Sequence, residues 1–124
     1  MDVLQIGKKL VEVCRANRNE DALALYSPDA VSVEATGSEE MPAVMKGVEA
    51  IRGKGRWWVE NNEVHKAEVK GPFPNENRFA VIFDFDFTPK AGPRAGQRTR
   101  MVEVALYTVE NGKIVREEFF YSPE

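Results

Sequence analysis

Residues 98–121 read RTRMVEVALYTVENGKIVREEFFY. Two runs of β-branched and aromatic residues flank Asn111-Gly112, a dipeptide that supplies the positive φ angles of a type I′ turn. The stretch therefore reads as a hairpin of two strands, Arg98–Val109 and Ile114–Tyr121. A two-residue loop pairs Val109 with Ile114, Tyr107 with Arg116, Ala105 with Glu118 and Glu103 with Phe120. One face then carries Met101, Glu103, Ala105, Tyr107, Val109, Ile114, Arg116, Glu118 and Phe120. The other carries Val102, Val104, Leu106, Val115, Glu117, Phe119 and Tyr121. Both faces are too apolar to be left open to water.

Working outward, alternation predicts two further strands, Arg78–Thr88 and Val64–Lys70. Turns at Pro72-Phe73-Pro74-Asn75 and from Pro89 to Gln97 separate the strands. Before them the period changes. Val48, Ile51, Gly55, Trp58 and Val59 fall on one helical face that ends near Asn61-Asn62, and Gly55 there suggests close backbone packing. Trp57 and Trp58 lie about 100° apart around that helix and belong to different environments. Thr36 to Pro42 is a polar loop, followed by a short strand at Val44 and Met45. Ala30–Ala35 alternates as a first strand. Val3, Ile6, Leu10, Val13 and Cys14 form the apolar stripe of an N-terminal helix, with Cys14 read as a small buried hydrophobe. Asn19 caps a short second helix through Ala22, Leu23, Leu25 and Tyr26, which Ser27-Pro28-Asp29 stops. Helices first and a run of strands after define an α+β fold, with residues 1–124 as a single domain.

Composition sets the outer bounds. At 124 residues and 14.0 kDa, with 43% hydrophobic and 30% charged residues, the chain has the makeup of one globular domain. A net charge of −3 argues against nucleic acid and anionic membranes as partners. The basic stretch Lys90, Arg94, Arg98 and Arg100 lacks interleaved aromatics and is read as a solvated lip. The single cysteine allows no internal disulfide, and neither a signal peptide nor a membrane span is recognisable, so a cytoplasmic location is expected. No phosphate-binding loop, metal spacing or nucleophile motif is present, and no cofactor is expected.

In this order the pieces resemble the nuclear transport factor 2-like superfamily, in particular its SnoaL-like and ketosteroid-isomerase-like members. The residues that carry the resemblance are Ala22-Leu23-Ala24-Leu25-Tyr26, Ser27-Pro28-Asp29-Ala30-Val31, Gly47 with Glu49-Ala50-Ile51-Arg52, and Asn111-Gly112-Lys113-Ile114 before Phe119-Phe120-Tyr121. The resemblance implies a cone: helices closing the concave side of a curved antiparallel sheet around a pocket. It also implies that Ala105 lines the pocket, which makes the Met101–Phe120 face concave. The Val102, Val104, Leu106, Phe119 and Tyr121 face is then convex, and as an apolar patch it is expected to be a homodimer interface. Ketosteroid isomerases use a tyrosine on the first helix and an aspartate ending the first strand. Those positions fall near Leu10 and on Glu34 or Ala35, so the isomerase machinery is not intact.

The candidate site follows from these faces. Glu103, between Met101 and Ala105 and diagonal to Glu118, is the leading acid–base candidate, because burial and a like charge both raise a carboxyl pKa. Its alternative is an ion pair with Arg116 or Arg100, or a hydrogen bond to a tryptophan. Asp84 and Asp86 are about 6.5–7 Å apart on one strand face, either ion-paired in solvent or, for Asp86, facing the pocket. His65, the only histidine, is a candidate proton shuttle or a surface residue. The catalytic candidates are thus Glu103, Glu118, His65 and Asp86. Trp58, Met101, Tyr107, Phe120 and Glu34 are the candidate ligand contacts, and no metal site is expected. Two functions compete. One is an isomerase, cyclase or lyase moving a proton on a small apolar molecule. The other is a non-catalytic binding or dimeric assembly domain, which a cavity below roughly 300 Å³ would favour.

Overall fold

The computed structural model of the chain describes residues 1–122. Helix α1 (Val3–Arg15) opens on a capping box. The Asp2 side chain accepts from the Gln5 amide at 2.8 Å, and the Gln5 side chain accepts from the Asp2 amide at 2.9 Å. Ile6, Leu10, Val11 and Val13 on this helix are buried. Arg15 fastens its end to the sheet by donating twice to the Val69 carbonyl, at 3.0 and 2.7 Å. Cys14 packs against the same core, and burial pushes its thiol up to about 11, so it stays protonated and unreactive. Helix α2 (Asn19–Leu23) is shorter than the sequence suggests, and Tyr26 is the first residue of β1 (Tyr26–Val33) instead of the end of a helix.

After β2 (Val44–Lys46) and α3 (Val48–Asn61) come β3 (Asn62–Asn75), β4 (Arg78–Pro89), β5 (Thr99–Glu110) and β6 (Lys113–Phe120). They form one curved six-stranded sheet in the order β2-β1-β6-β5-β4-β3. The sheet is mixed, not wholly antiparallel: the β3–β6 meander returns beside β1 with β6 running in the same direction. β3 continues past Pro72 to Asn75, where a turn was expected. The register shifts between Lys70 and Phe73, and β3 is an edge strand, so a residue without an N–H is tolerated there. Phe79, Val81, Phe83, Ala105, Tyr107, Val109 and Ile114 join the helical residues in one core. Within it the Phe79 and Tyr107 rings stack at 4.9 Å.

The Asn111-Gly112 turn forms as its composition requires, with φ of 51° and 74°. Val109 pairs with Ile114, but the next pair is Thr108 with Arg116. Val115 is therefore an extra residue, a β-bulge. Beyond it the register becomes Tyr107 with Glu117, Leu106 with Glu118, Ala105 with Phe119 and Val104 with Phe120. Because side chains alternate along a strand, one inserted residue exchanges the faces of all that follows. Glu117, Phe119 and Tyr121 turn to the concave side, whereas Arg116, Glu118 and Phe120 turn to the convex side. The expected convex patch is corrected accordingly. It loses Phe119 and Tyr121 and keeps Val102, Val104 and Leu106, with Phe120 added; Val102, Val104 and Phe120 are all exposed.

Helix α3 crosses the mouth of the concave face and buries only Ile51. The expected close packing at Gly55 is absent: a Cβ there, or at Gly53, would meet nothing within 4 Å. Both glycines therefore cost helix stability with no packing in return. Gly53→Ala is expected to raise the unfolding free energy by about 0.5–1 kcal/mol in urea denaturation. A decrease would mean that α3 is not a regular helix at that point.

Candidate functional site

The concave faces of β4, β5 and β6, together with α2, α3 and the 36–42 loop, enclose a cavity of about 840 Å³. That is well above the roughly 300 Å³ at which ligand pockets begin. Phe83, Phe85, Met101, Tyr107 and Phe119 line it from the sheet, and Trp57 and Trp58 line it from α3. The two tryptophans do part company. Trp57 is 44% exposed, while Trp58 packs on Phe85 and Phe87 with ring centroids at 5.6 and 5.0 Å.

The polar floor of this cavity is assembled around Glu117, which is 3% exposed. A buried carboxylate is tolerated only with hydrogen bonds to both oxygens. The Tyr26 hydroxyl donates to Oε1. Ser32, the register partner of Glu117 across the parallel β1–β6 pair, donates to Oε2 at 2.5 Å. Lys54 reaches in from α3, donating to Ser32 Oγ, lying 2.7 Å from Glu34 Oε2 and 3.5 Å from Glu117 Oε2. Its ammonium also sits 4.6 Å from the centroid of the Phe119 ring. The second Glu34 oxygen accepts from the Tyr121 hydroxyl at 3.0 Å. Burial beside Glu117 holds the Tyr26 and Tyr107 hydroxyls far above their ordinary range, so both remain donors. Glu34 and Glu117 thus have both oxygens engaged, and the Lys54 protons have three acceptors.

Glu103 is different. No hydrogen bond or ion pair to another described residue holds its carboxyl, so the alternative of a partner in Arg116, Arg100 or a tryptophan is not what forms. No buried side-chain polar atom among the described residues lacks a partner, so the unpartnered Glu103 oxygens open onto the cavity. Burial, then the nearby Glu34 and Glu117 charges, push this carboxyl from 4.5 up to about 7, with Lys54 opposing. Such a group exchanges a proton near neutral pH and can serve as acid or base.

The other expected residues divide cleanly. Glu34, Trp58, Met101 and Tyr107 line the cavity with Glu103. Glu118 and Phe120 do not, because the Val115 bulge turns them outward, where Glu118 pairs with Arg116 at 3.2 Å. Asp86 faces the convex side and is held by Arg98 at 2.8 and 2.7 Å; Asp84 is held in the same way by Arg100 at 2.9 and 2.7 Å. These bidentate pairs keep both aspartates below the ordinary carboxylate range, ionised and without a free oxygen. His65 is exposed on β3 and shares a hydrogen bond of 2.7 Å with Thr88. The basic 90–97 loop contributes nothing to the cavity lining. Sequence reasoning missed Lys54, Ser32 and Tyr121, and it placed Tyr26 and Glu117 elsewhere. Lys54 was legible in principle, three residues after Ile51 and four before Trp58 on the inner face of α3. Ser32 shares the inward alternation of Ala30 and Glu34.

The raised Glu103 pKa has a consequence for stability. Between about 4.5 and about 7 the folded state binds a proton that the unfolded state releases, so the native chain loses stability as pH rises through that window. Glu103→Gln removes this loss. The variant is expected to be no more stable than the native chain below pH 4.5 and more stable by about 3 kcal/mol above pH 7, read from denaturation midpoints across pH. A difference that does not change with pH would place the Glu103 carboxyl in water.

With the geometry in place, known proteins can be set beside it. The sequence profile of the SnoaL-like domain matches residues 1–121. A crystal structure from Mesorhizobium loti, described as a SnoaL-like polyketide cyclase and also as a carbohydrate phosphatase, shares 44% identity. It covers 98% of this chain and 100% of its own, with a TM-score of 0.88. A nuclear transport factor 2-like protein from Burkholderia thailandensis shares the fold at 16% identity and a TM-score of 0.83, covering 98% and 92% of the two chains. A protein from Pseudomonas putida described as a polyketide cyclase does so at 18% and 0.74, again over 98% and 92%. Among curated proteins none matches. A SnoaL-like domain is a small-molecule enzyme or ligand-binding fold, and this chain, with the fold of nuclear transport factor 2-like proteins, belongs to the SnoaL-like family.

Proposed function

We infer that the protein is an enzyme of the isomerase, cyclase or lyase kind that moves a proton on a small apolar molecule, with Glu103 as its acid–base group. The observation that carries this reading is the contrast among three carboxyls on the cavity floor. Glu34 and Glu117 have both oxygens engaged by fixed donors, and of the three only Glu103 is left without a partner, its proton exchangeable near neutral pH. A single such group takes a proton from one atom of a bound molecule and returns it to another, which suits reactions with no net gain of protons. The aromatic walls exclude water and hold an apolar body. The cyclase description of the Mesorhizobium loti protein agrees with this chemistry. Its phosphatase description does not, because a phosphoryl group needs a free cation beside the acid–base group, and the cation there, Lys54, is already shared among Glu34, Ser32 and Glu117. On this reading the protein works in the cytoplasm, where its one buried thiol stays reduced.

The test is deuterium exchange at the α-carbon of apolar ring ketones in heavy water, followed by NMR. Exchange by the native protein is expected to rise with pH through about 7 and level off. Glu103→Gln should slow it by about 100-fold or more. Binding without exchange would make the protein a carrier, and exchange retained in Glu103→Gln would remove that residue from the chemistry.

The convex face suggests a second copy as its partner. Val102, Val104 and Phe120 are exposed side by side with Leu106, and the charges flanking them, Asp84, Asp86, Arg98 and Arg100, neutralise one another within the chain. A surface so balanced favours its own two-fold mate over a partner of one charge sign. Sedimentation is expected to give a dimer at micromolar concentration and a monomer for Phe120→Glu; a native monomer would exclude this assembly.

A further inference from the structure

We propose that the ligand of this cavity is a cation: an apolar ring compound bearing a protonated amine, which pairs with the Glu103 carboxylate against the aromatic wall. The proposal rests on the reading of Glu103 as the group that meets the ligand. It goes further by fixing the charge of what binds.

The first argument is the charge inventory. Five carboxylates line the cavity, Glu20, Glu34, Glu60, Glu103 and Glu117, against three cationic side chains, Arg52, Lys54 and Arg56. Arg52 is bound to Glu20 and Glu49 at the lip, so it does not reach the floor. Inside, Lys54 is the one cation among three acids, and its protons are engaged by Ser32, Glu34 and Glu117. On that floor an anionic ligand would find three carboxyls and no uncommitted cation, Arg56 being exposed on α3. A cationic ligand supplies the counter-charge that the floor lacks, at the one floor carboxyl that no other described residue holds by a hydrogen bond or ion pair.

The second argument is the wall itself. Phe83 is the cross-strand neighbour of Glu103, and Phe85 is that of Met101 one step along. Trp58 leans on Phe85 from α3. Aromatic faces attract cations, and this cavity already seats one in that way, the Lys54 ammonium over Phe119 at 4.6 Å. The groups that face Glu103 are Glu34 just after β1, Lys54 on α3, Glu117 on β6 and Tyr107 on its own strand; β4 presents only phenylalanines. A bound ammonium would therefore favour the ionised form of Glu103, which is the form that abstracts a proton.

Three probes of one shape decide the matter: naphthylethylamine, acetylnaphthalene and naphthoic acid, each titrated calorimetrically into the full chain. At about pH 8.5 the amine is expected to bind at least about tenfold more tightly than the ketone, with no binding of the acid. The preference should fall about tenfold by about pH 5.5, where Glu103 is protonated and the amine still charged, and it should vanish in Glu103→Gln. A ketone that binds as tightly as the amine overturns the proposal, as does a preference that survives Glu103→Gln or the failure of all three probes to bind. If the ketone binds and its Glu103-dependent exchange is seen, the proton-transfer reading stands although this one falls. If the amine preference holds and no ligand exchanges, the cation site stands and catalysis does not.

Discussion

A carboxylate buried under a sheet is held by whatever can reach both of its oxygens, and in this protein that requirement organises the cavity. Glu117 draws Tyr26 and Ser32 from β1 and Lys54 from α3 onto one point of β6. Removing one partner would leave the rest of the cluster with an unmet charge, a larger loss than any surface ion pair. The cluster therefore fixes where α3 lies over the sheet, although that helix buries only Ile51 and carries two glycines in its middle. The cavity mouth is set by charge more than by packing.

This arrangement separates two roles that carboxylates can play in one cavity. Glu34 and Glu117 are structural, each with both oxygens engaged by fixed donors. Glu103 faces the same space from the neighbouring strand with none of its hydrogen bonds made. Burial raises its pKa first, the nearby Glu34 and Glu117 add to the rise, and Lys54 limits how far. The proton affinity of Glu103 thus comes from its enclosure and from neighbours whose own oxygens are already engaged.

Much of the fold was legible because it rests on local rules. The Asn111-Gly112 turn, the 3.6-residue stripe of α1 and the alternation of β4 each follow from a few residues and formed as read. Of the cavity residues, those on β5 were legible, since strand parity from the turn to Met101 is unbroken. Those on β6 were not. The Val115 bulge has no compositional mark, and one unseen insertion turned Glu117, Phe119 and Tyr121 inward and Glu118 and Phe120 outward. The two aspartates of β4 were placed correctly opposite the phenylalanines. Which side held the cavity could not be read from that strand; the structure shows it to be the side of Phe83 and Phe85, with the aspartates held on the other side by Arg98 and Arg100. Long-range partners such as Lys54 and Glu34 lie on different elements, and no local pattern ties them together.

The outer edge of the sheet bears on a matter apart from chemistry. β3 ends the strand order, and a long unpaired strand edge invites other chains to add to it without limit. Glu63, Lys66, Glu68 and Lys70 line that strand, Pro72 interrupts its run of donors, and the Arg15 side chain occupies the Val69 carbonyl. Open-ended, fibre-like growth from this edge, across the strand direction, is opposed by these features. What remains sticky is the convex face, and a contact between two such faces closes on itself at two chains.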